Sequence, residues 1–139
     1  MPVEFAGPGT RVRPDRQMNG PHKGKTGLKR IWNALFYSLD GFAAAFKHED
    51  AFRLEILLAL ILIPLALYMP VSGVGKALMV ASVLFVLVTE LLNTAIEAAT
   101  DRISLDDHVL AKRAKDMASA AVMLSLINVP AVWLLVVFG

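Results

Sequence analysis

The sequence predicts an all-α membrane protein: an amino-terminal interfacial amphipathic helix, then three transmembrane helices packed as a bundle. Three observations carry this. The chain of 139 residues is 56% hydrophobic and only 19% charged, against about 25% charged in an ordinary soluble domain. Its apolar residues collect in three runs of the length that hydrocarbon requires. Its Lys and Arg residues gather at one side of those runs. A chain of this size is one domain. It has no Cys, which excludes a disulfide framework, a thiolate nucleophile and a cysteine metal site.

Residues 1–27 hold nine Pro and Gly residues and no apolar period, so a disordered basic arm is expected there. Across residues 1–30, Arg11, Arg13, Arg16, Lys23, Lys25, Lys29 and Arg30 face only Glu4 and Asp15. A basic tail ahead of lipid-soluble helices suits anionic headgroups, and nucleic acid is not expected as a partner. The arm does not read as a signal peptide, because no apolar core follows its basic residues.

From residue 28 to 48 the apolar residues step by three and four. Leu28, Ile31, Trp32, Leu35, Phe36, Leu39, Phe42 and Phe46 form one face, with Lys29, Arg30, Asn33, Asp40 and Lys47 off it. That pattern predicts a helix lying in the water–lipid interface.

The first span is expected at about 52–71, with an apolar run from Leu54 to Val71 that contains Pro64. A proline kink is tolerated in a membrane helix. The second span is expected at about 77–99 and the third at 117–138, with Asn128 and Pro130 inside it. A charged loop over 100–116 carries Arg102, Lys112, Arg113 and Lys115, whereas the first loop has only Lys76. The amino terminus and the second loop are therefore expected in the cytoplasm.

The second span carries Glu90, Asn93 and Glu97, at offsets that share a helical face. A charge inside a span costs at least about 2.5–3.5 kcal/mol, so by default it marks function. The alternative is a polar stripe that holds subunits together. Glu97 lies at the cytoplasmic end, and Glu90 is about 10 Å deeper at 1.5 Å per residue. Glu49 and Glu55 flank the start of the first span, and Lys115 and Asp116 open the third. Acids, an amide and a base from three helices thus meet at one membrane face. Carboxylates near water can hold Mg²⁺, which takes oxygen ligands and shares them with nucleotide phosphates. A deeper, desolvated carboxylate can take the proton of an alcohol that stays in the bilayer. Phosphoryl transfer also needs cations on the phosphates, and Arg30, Arg113 and Lys115 are available.

The stretch Gly20-Pro21-His22-Lys23-Gly24-Lys25-Thr26 falls short of a phosphate-binding loop. It has three residues between the glycines where four are needed, and no apolar strand precedes it.

Glu90-Leu91-Leu92-Asn93-Thr94-Ala95-Ile96-Glu97 followed by Asp101-Arg102 resembles the E-x-x-N-[ST]-A-I-E…D-R signature of the prokaryotic diacylglycerol kinases. Arg113-Ala114-Lys115-Asp116-Met117 with Ser119-Ala120-Ala121-Val122, and Glu49-Asp50-Ala51-Phe52-Arg53-Leu54-Glu55, resemble two further motifs of that family. The resemblance spans about residues 28–138.

The resemblance implies a homotrimer of ATP- and Mg²⁺-dependent lipid kinase subunits in the bacterial inner membrane. It implies active sites shared between neighbouring subunits, with diacylglycerol as substrate. It makes Glu90 the catalytic base and Glu49 and Glu97 the metal-binding carboxylates that also hold ATP. Arg30, Tyr37, Asn93, Asp106, Asp107, His108, Lys115 and Asp116 fall at nucleotide positions. Ser38, Phe52, Arg53, Glu55, Ser119 and Trp133 fall on the lipid side, together with Glu90. Asp107 stands where the family often has an aromatic residue, Leu39 where it often has a larger aromatic group, and His48 where Asn is common. None of these departures removes a catalytic group.

Two other functions compete. Undecaprenol kinases belong to the same superfamily but usually carry His where this chain has Glu55. A non-enzymatic membrane subunit or channel would use Asn93 and its stripe, but it leaves the acids at three helix starts unexplained.

Overall fold

The computed structural model describes residues 27–103 and 109–139, all of them in or next to helices. They fall into two units, one ending at Leu35 and one formed by Phe36–Gly139. The expected arm over 1–27 lies almost wholly outside the described residues.

Helix α1 runs Gly27–His48, and Ala45 is its buried residue. Its apolar face is left to the surroundings, with Trp32 61% and Leu28 83% exposed. An uncovered apolar stripe on a basic helix is what an interfacial position requires. The helix stops because Glu49 takes an extended backbone at φ −116° and ψ 113°. Arg53 then closes the corner. Its Nη1 donates to the carbonyls of Phe46 at 3.0 Å and Lys47 at 3.1 Å, and its Nη2 pairs with Asp50. Those carbonyls belong to the last turn of α1 and have no partner within that helix.

Helix α2 spans Asp50–Tyr68 with Pro64 inside it. It ends ahead of Pro70, which disfavours helical backbone at Met69, and Met69 sits at ψ 141°. In the turn that follows, Ser72 Oγ accepts the Gly75 amide at 3.1 Å, an N-terminal cap for the next helix. Lys76 Nζ reaches back to the Leu67 carbonyl at 2.7 Å.

Helix α3, Gly73–Ile103, has 31 residues, and α4, Val109–Phe138, has 30. At 1.5 Å per residue each is about 45 Å long, well beyond the roughly 30 Å of hydrocarbon. The span limits read as 77–99 and 117–138 therefore mark the apolar centres of longer helices. The connection expected over 100–116 is corrected accordingly: α3 continues to Ile103 and α4 begins at Val109. Outside lipid these turns are supported by polar groups. Thr100 Oγ1 bonds back to the Ile96 and Glu97 carbonyls, and Lys112 pairs with Asp116 at 2.9 Å, four residues on.

Three of the helices are long and apolar enough to cross a membrane. Helix α3 is central and packs on both α2 and α4. The contacts use small or slender residues: Ala59 and Ala66 of α2, Met79, Ser82, Val83 and Val86 of α3, and Ala118 and Ser125 of α4 are all buried. Small side chains let helix backbones approach where no hydrophobic drive exists. Gly75 is the tightest case, since a Cβ there would lie 2.7 Å from Val136 Cγ1. Large apolar side chains such as Leu60, Leu124 and Leu135 point outward. A soluble core would have the reverse order.

Candidate active site

Between the second half of α1 and the final turns of α3 is an open cavity of about 930 Å³. The space exists because both walls are built from small residues, among them Gly41, Ala45, Ala95 and Ala98. Its polar lining comes from Ser38 of α1, from His48 and Glu49 at the corner, and from Thr94, Glu97 and Asp101 of α3. Glu49 and Glu97 therefore line the same cavity within one chain.

The two carboxylates are left available for different reasons. Glu49 occupies the N-cap position of α2, yet its side chain makes no capping hydrogen bond. Its carboxylate is free to turn to the cavity. Glu97 accepts a 3.3 Å hydrogen bond from Asn93 Nδ2, which orients it and leaves its other oxygen open. Asn93 Oδ1 and Thr94 Oγ1 are buried with no hydrogen-bond partner among the described residues. An unpaired buried acceptor is costly, and Thr94 lines the large cavity.

Glu90 lies deeper, only 4% exposed. Glu49 and Glu97 are charged neighbours of its carboxylate. Glu90 in turn is the charged neighbour of Glu55. Glu55 is 9% exposed, and its Oε2 lacks a partner among the described residues. It lines a second, smaller cavity of about 160 Å³, otherwise apolar, between α2, α3 and α4. Four carboxyl groups thus form a path from the open cavity into the membrane.

The remaining residues expected at the site divide as follows. Lys115 pairs with Asp101, which brings its ammonium to the rim of the large cavity. Asp116 is held by Lys112. Tyr37 is 63% exposed. Arg30 belongs to the first unit and is exposed. Asp106, Asp107 and His108 lie outside the described residues. On the expected lipid side, Ser119 is exposed and Trp133 half-buried, with its Nε1 lacking a partner among the described residues. Phe52 turns inward instead: it is fully buried, with its ring 6.4 Å from that of Phe42. Arg53 spends its guanidinium on the α1–α2 corner.

Asp101 lines the cavity without having been assigned a role from sequence. Its position four residues after Glu97, on the same helical face, was the available signal. His48 and Thr94 had no such signal, because a lone residue at a helix end or beside a motif carries none.

Among the described residues, no three acidic or His side chains converge on one point. Glu49 and Glu97 on one open cavity suit a hard cation held by one or two carboxylates, with substrate phosphates and water completing its shell. That is the habit of Mg²⁺. The unpartnered oxygen of Thr94 beside the cavity suits the same oxygen-rich surroundings.

Residues 36–137 match the prokaryotic diacylglycerol kinase family, nearly the whole of the second unit. A diacylglycerol kinase of Pseudomonas aeruginosa is 52% identical over 119 residues, covering 86% of this chain and 97% of that protein. One from Haemophilus influenzae is 47% identical over 108 residues, covering 78% and 92% of the two chains. One from Escherichia coli strain K12 is 40% identical over 114 residues, covering 82% and 93%. The polar stripe of α3, the acidic corner before α2 and the three spans that hold them belong to a member of the prokaryotic diacylglycerol kinase family.

Proposed function

We propose that the chain phosphorylates diacylglycerol to phosphatidic acid, using ATP and Mg²⁺ at the cytoplasmic face of the inner membrane. One observation carries this most directly: Glu49 and Glu97 line a single open cavity, with the buried Glu90 as their neighbour. A nucleotide triphosphate needs the first two, and a membrane-bound alcohol needs the third.

Glu49 and Glu97 would hold Mg²⁺, which when bound neutralises charge on the phosphates. Lys115, fixed at the cavity rim by Asp101, offers a cation to the same phosphates. Glu90 takes the proton from the lipid hydroxyl. The hydroxyl oxygen bonds to the γ-phosphorus as the bond from that phosphorus to the ADP oxygen breaks. Burial keeps water, the competing nucleophile, away from this step. Glu55, whose Oε2 is buried without a partner among the described residues, would be available to a polar group of the lipid's glycerol backbone.

Labelled phosphate transfer from ATP to a panel of lipid alcohols tests the assignment. The largest kcat/KM is expected with diacylglycerol. A larger value for undecaprenol in matched mixed micelles transfers the chain to that activity. ATP consumption indifferent to added lipid removes the lipid-kinase reading altogether.

The proposed assembly is the homotrimer implied by the family resemblance. Leu84, Phe85 and Val88 of α3 are 46%, 50% and 50% exposed, apolar surface that a neighbouring subunit would cover. The proposed orientation puts the α2–α3 turn on the side away from the cytoplasm, because Lys76, in the first turn of α3, is the sole basic residue near it. Val74 is 72% exposed and does not cap the helix, so it suits a Cys probe in a chain with no Cys of its own. Val74→Cys should react with an impermeant maleimide in intact cells. Reaction only after membrane disruption would invert the topology.

A further inference from the structure

The proposed base Glu90 and the proposed metal ligand Glu97 sit on one stretch of α3, and this stretch is fastened to α4 at both ends. At the polar end Lys115 of α4 pairs with Asp101 of α3. At the deep end Thr89 Oγ1 and Ser125 Oγ share a 2.8 Å hydrogen bond across the helix interface. The two fastenings are twelve residues apart on α3, about 18 Å at 1.5 Å per residue, and they bracket Glu90, Asn93 and Glu97.

Between the fastenings an open groove runs beside the packed α3–α4 contact. This space of about 410 Å³ is lined by Leu92, Asn93 and Ile96 of α3 and by Ala114, Met117, Ala118 and Ala121 of α4. Interdigitated side chains normally set the rotation of one helix on another. Beside a groove lined on its α4 side largely by alanines they constrain it less, and the two polar ties add to the constraint.

The deep tie is well built for this. Ser125 is fully buried and Thr89 is 8% exposed. Each hydroxyl also lies within hydrogen-bond distance of a carbonyl of its own helix: Thr89 of Val86 at 2.8 Å and Phe85 at 3.1 Å, Ser125 of Val122 at 2.7 Å. A hydroxyl has one proton to donate. One of the pair therefore donates to its own helix and accepts across the interface, while the other donates across. Neither oxygen is left bare in hydrocarbon, and the hydroxyl that accepts across the interface is anchored by its bond to its own helix.

We infer that Thr89 and Ser125 are positioning residues for the phosphoryl transfer, setting the rotation and depth of α3 that present Glu90 to the lipid hydroxyl. Thr89 faces α4, and Glu90, one residue on, is turned about 100° from it. Any rotation released at Thr89 is therefore transmitted to Glu90. Glu97 lies nearer the Asp101–Lys115 tie, so nucleotide binding is less exposed to the same release. This inference rests on Glu90 being the base.

The test is a set of full-length variants purified in mixed micelles: Thr89→Val, Thr89→Ser, Ser125→Ala and the double Thr89→Val/Ser125→Ala, with Glu90→Gln assayed alongside. Thr89→Val should lower kcat by about three- to tenfold, the scale of one interhelical hydrogen bond in a membrane. The KM for Mg-ATP should stay at the parent value. Thr89→Ser keeps the hydroxyl and should restore most of kcat. Ser125→Ala should match Thr89→Val, and the double variant should be no worse than either, because both remove the same bond. Parental kcat in Thr89→Val, multiplicative losses in the double variant, or no recovery in Thr89→Ser would each overturn the positioning role. If Thr89→Val fails to fold, the comparison of Ser125→Ala with the parent decides by the same split of kcat from KM. Full turnover by Glu90→Gln would instead remove the base assignment, whatever the Thr89 variants do.

Discussion

Glu90→Gln is expected to lower kcat by about two to four orders of magnitude, the usual contribution of a positioned general base. Gln fills the same space and keeps a hydrogen-bonding oxygen, so the 4% exposed site should still pack. What it loses is the capacity to accept the substrate proton. The KM for Mg-ATP should move little, because the groups assigned to the nucleotide are at the cavity wall and Glu90 is beneath it. Loss of kcat without change in KM is the signature of an interaction made only in the transition state. Removing one negative charge next to Glu49 and Glu97 also predicts that nucleotide binding will not worsen on electrostatic grounds. Turnover and equilibrium binding of a nucleotide analogue, measured on the same preparation, separate the two quantities. Near-parental kcat would sink the base assignment, and loss of nucleotide binding would relocate Glu90 to the phosphate site.

Much of this arrangement is legible in the chain before any coordinates. Three apolar runs fix three spans because lipid tolerates no other solution for a backbone without partners. Glu90, Asn93 and Glu97 stand out because charge within such a run is expensive. The helix ends are less legible. Apolar content marks where a helix enters lipid, whereas its hydrogen-bond ladder runs on into water, as Thr100 and the Lys112–Asp116 pair illustrate. Residues near the first corner are also ambiguous in one dimension. Phe52 and Arg53 share a motif with Glu49 and Glu55, yet Phe52 packs inward and Arg53 caps the preceding helix. Thr89 and Ser125 were invisible for a different reason. Each is an ordinary small polar residue in its own helix, and their importance depends on a pairing across 36 positions of sequence.

Glu97→Gln is expected to act on the nucleotide and not on the proton. The geometry gives Glu97 one oxygen held by Asn93 Nδ2 at 3.3 Å and the other facing a cavity that Glu49 also lines. Gln keeps an acceptor for Asn93, so the side chain should hold its position. It has lost the negative charge that a hard cation requires, and its second polar atom is now a donor. Altering merely a supporting neighbour of a metal ligand typically costs about 10–100-fold in affinity, so loss of a ligand itself should raise the KM for Mg-ATP by at least about tenfold. Raising free Mg²⁺ should recover part of that loss, because Glu49 remains to hold the cation. The paired variant Glu49→Gln/Glu97→Gln should show no such recovery, since its cavity offers Mg²⁺ neither carboxylate. The check is a titration of initial rate against free Mg²⁺ at several fixed ATP concentrations, in the parent, each single variant and the double. A KM for Mg-ATP in Glu97→Gln that equals the parent's at every Mg²⁺ concentration would remove Glu97 from the metal site. Recovery of the double variant by Mg²⁺ alone would show that the cation is held by other groups.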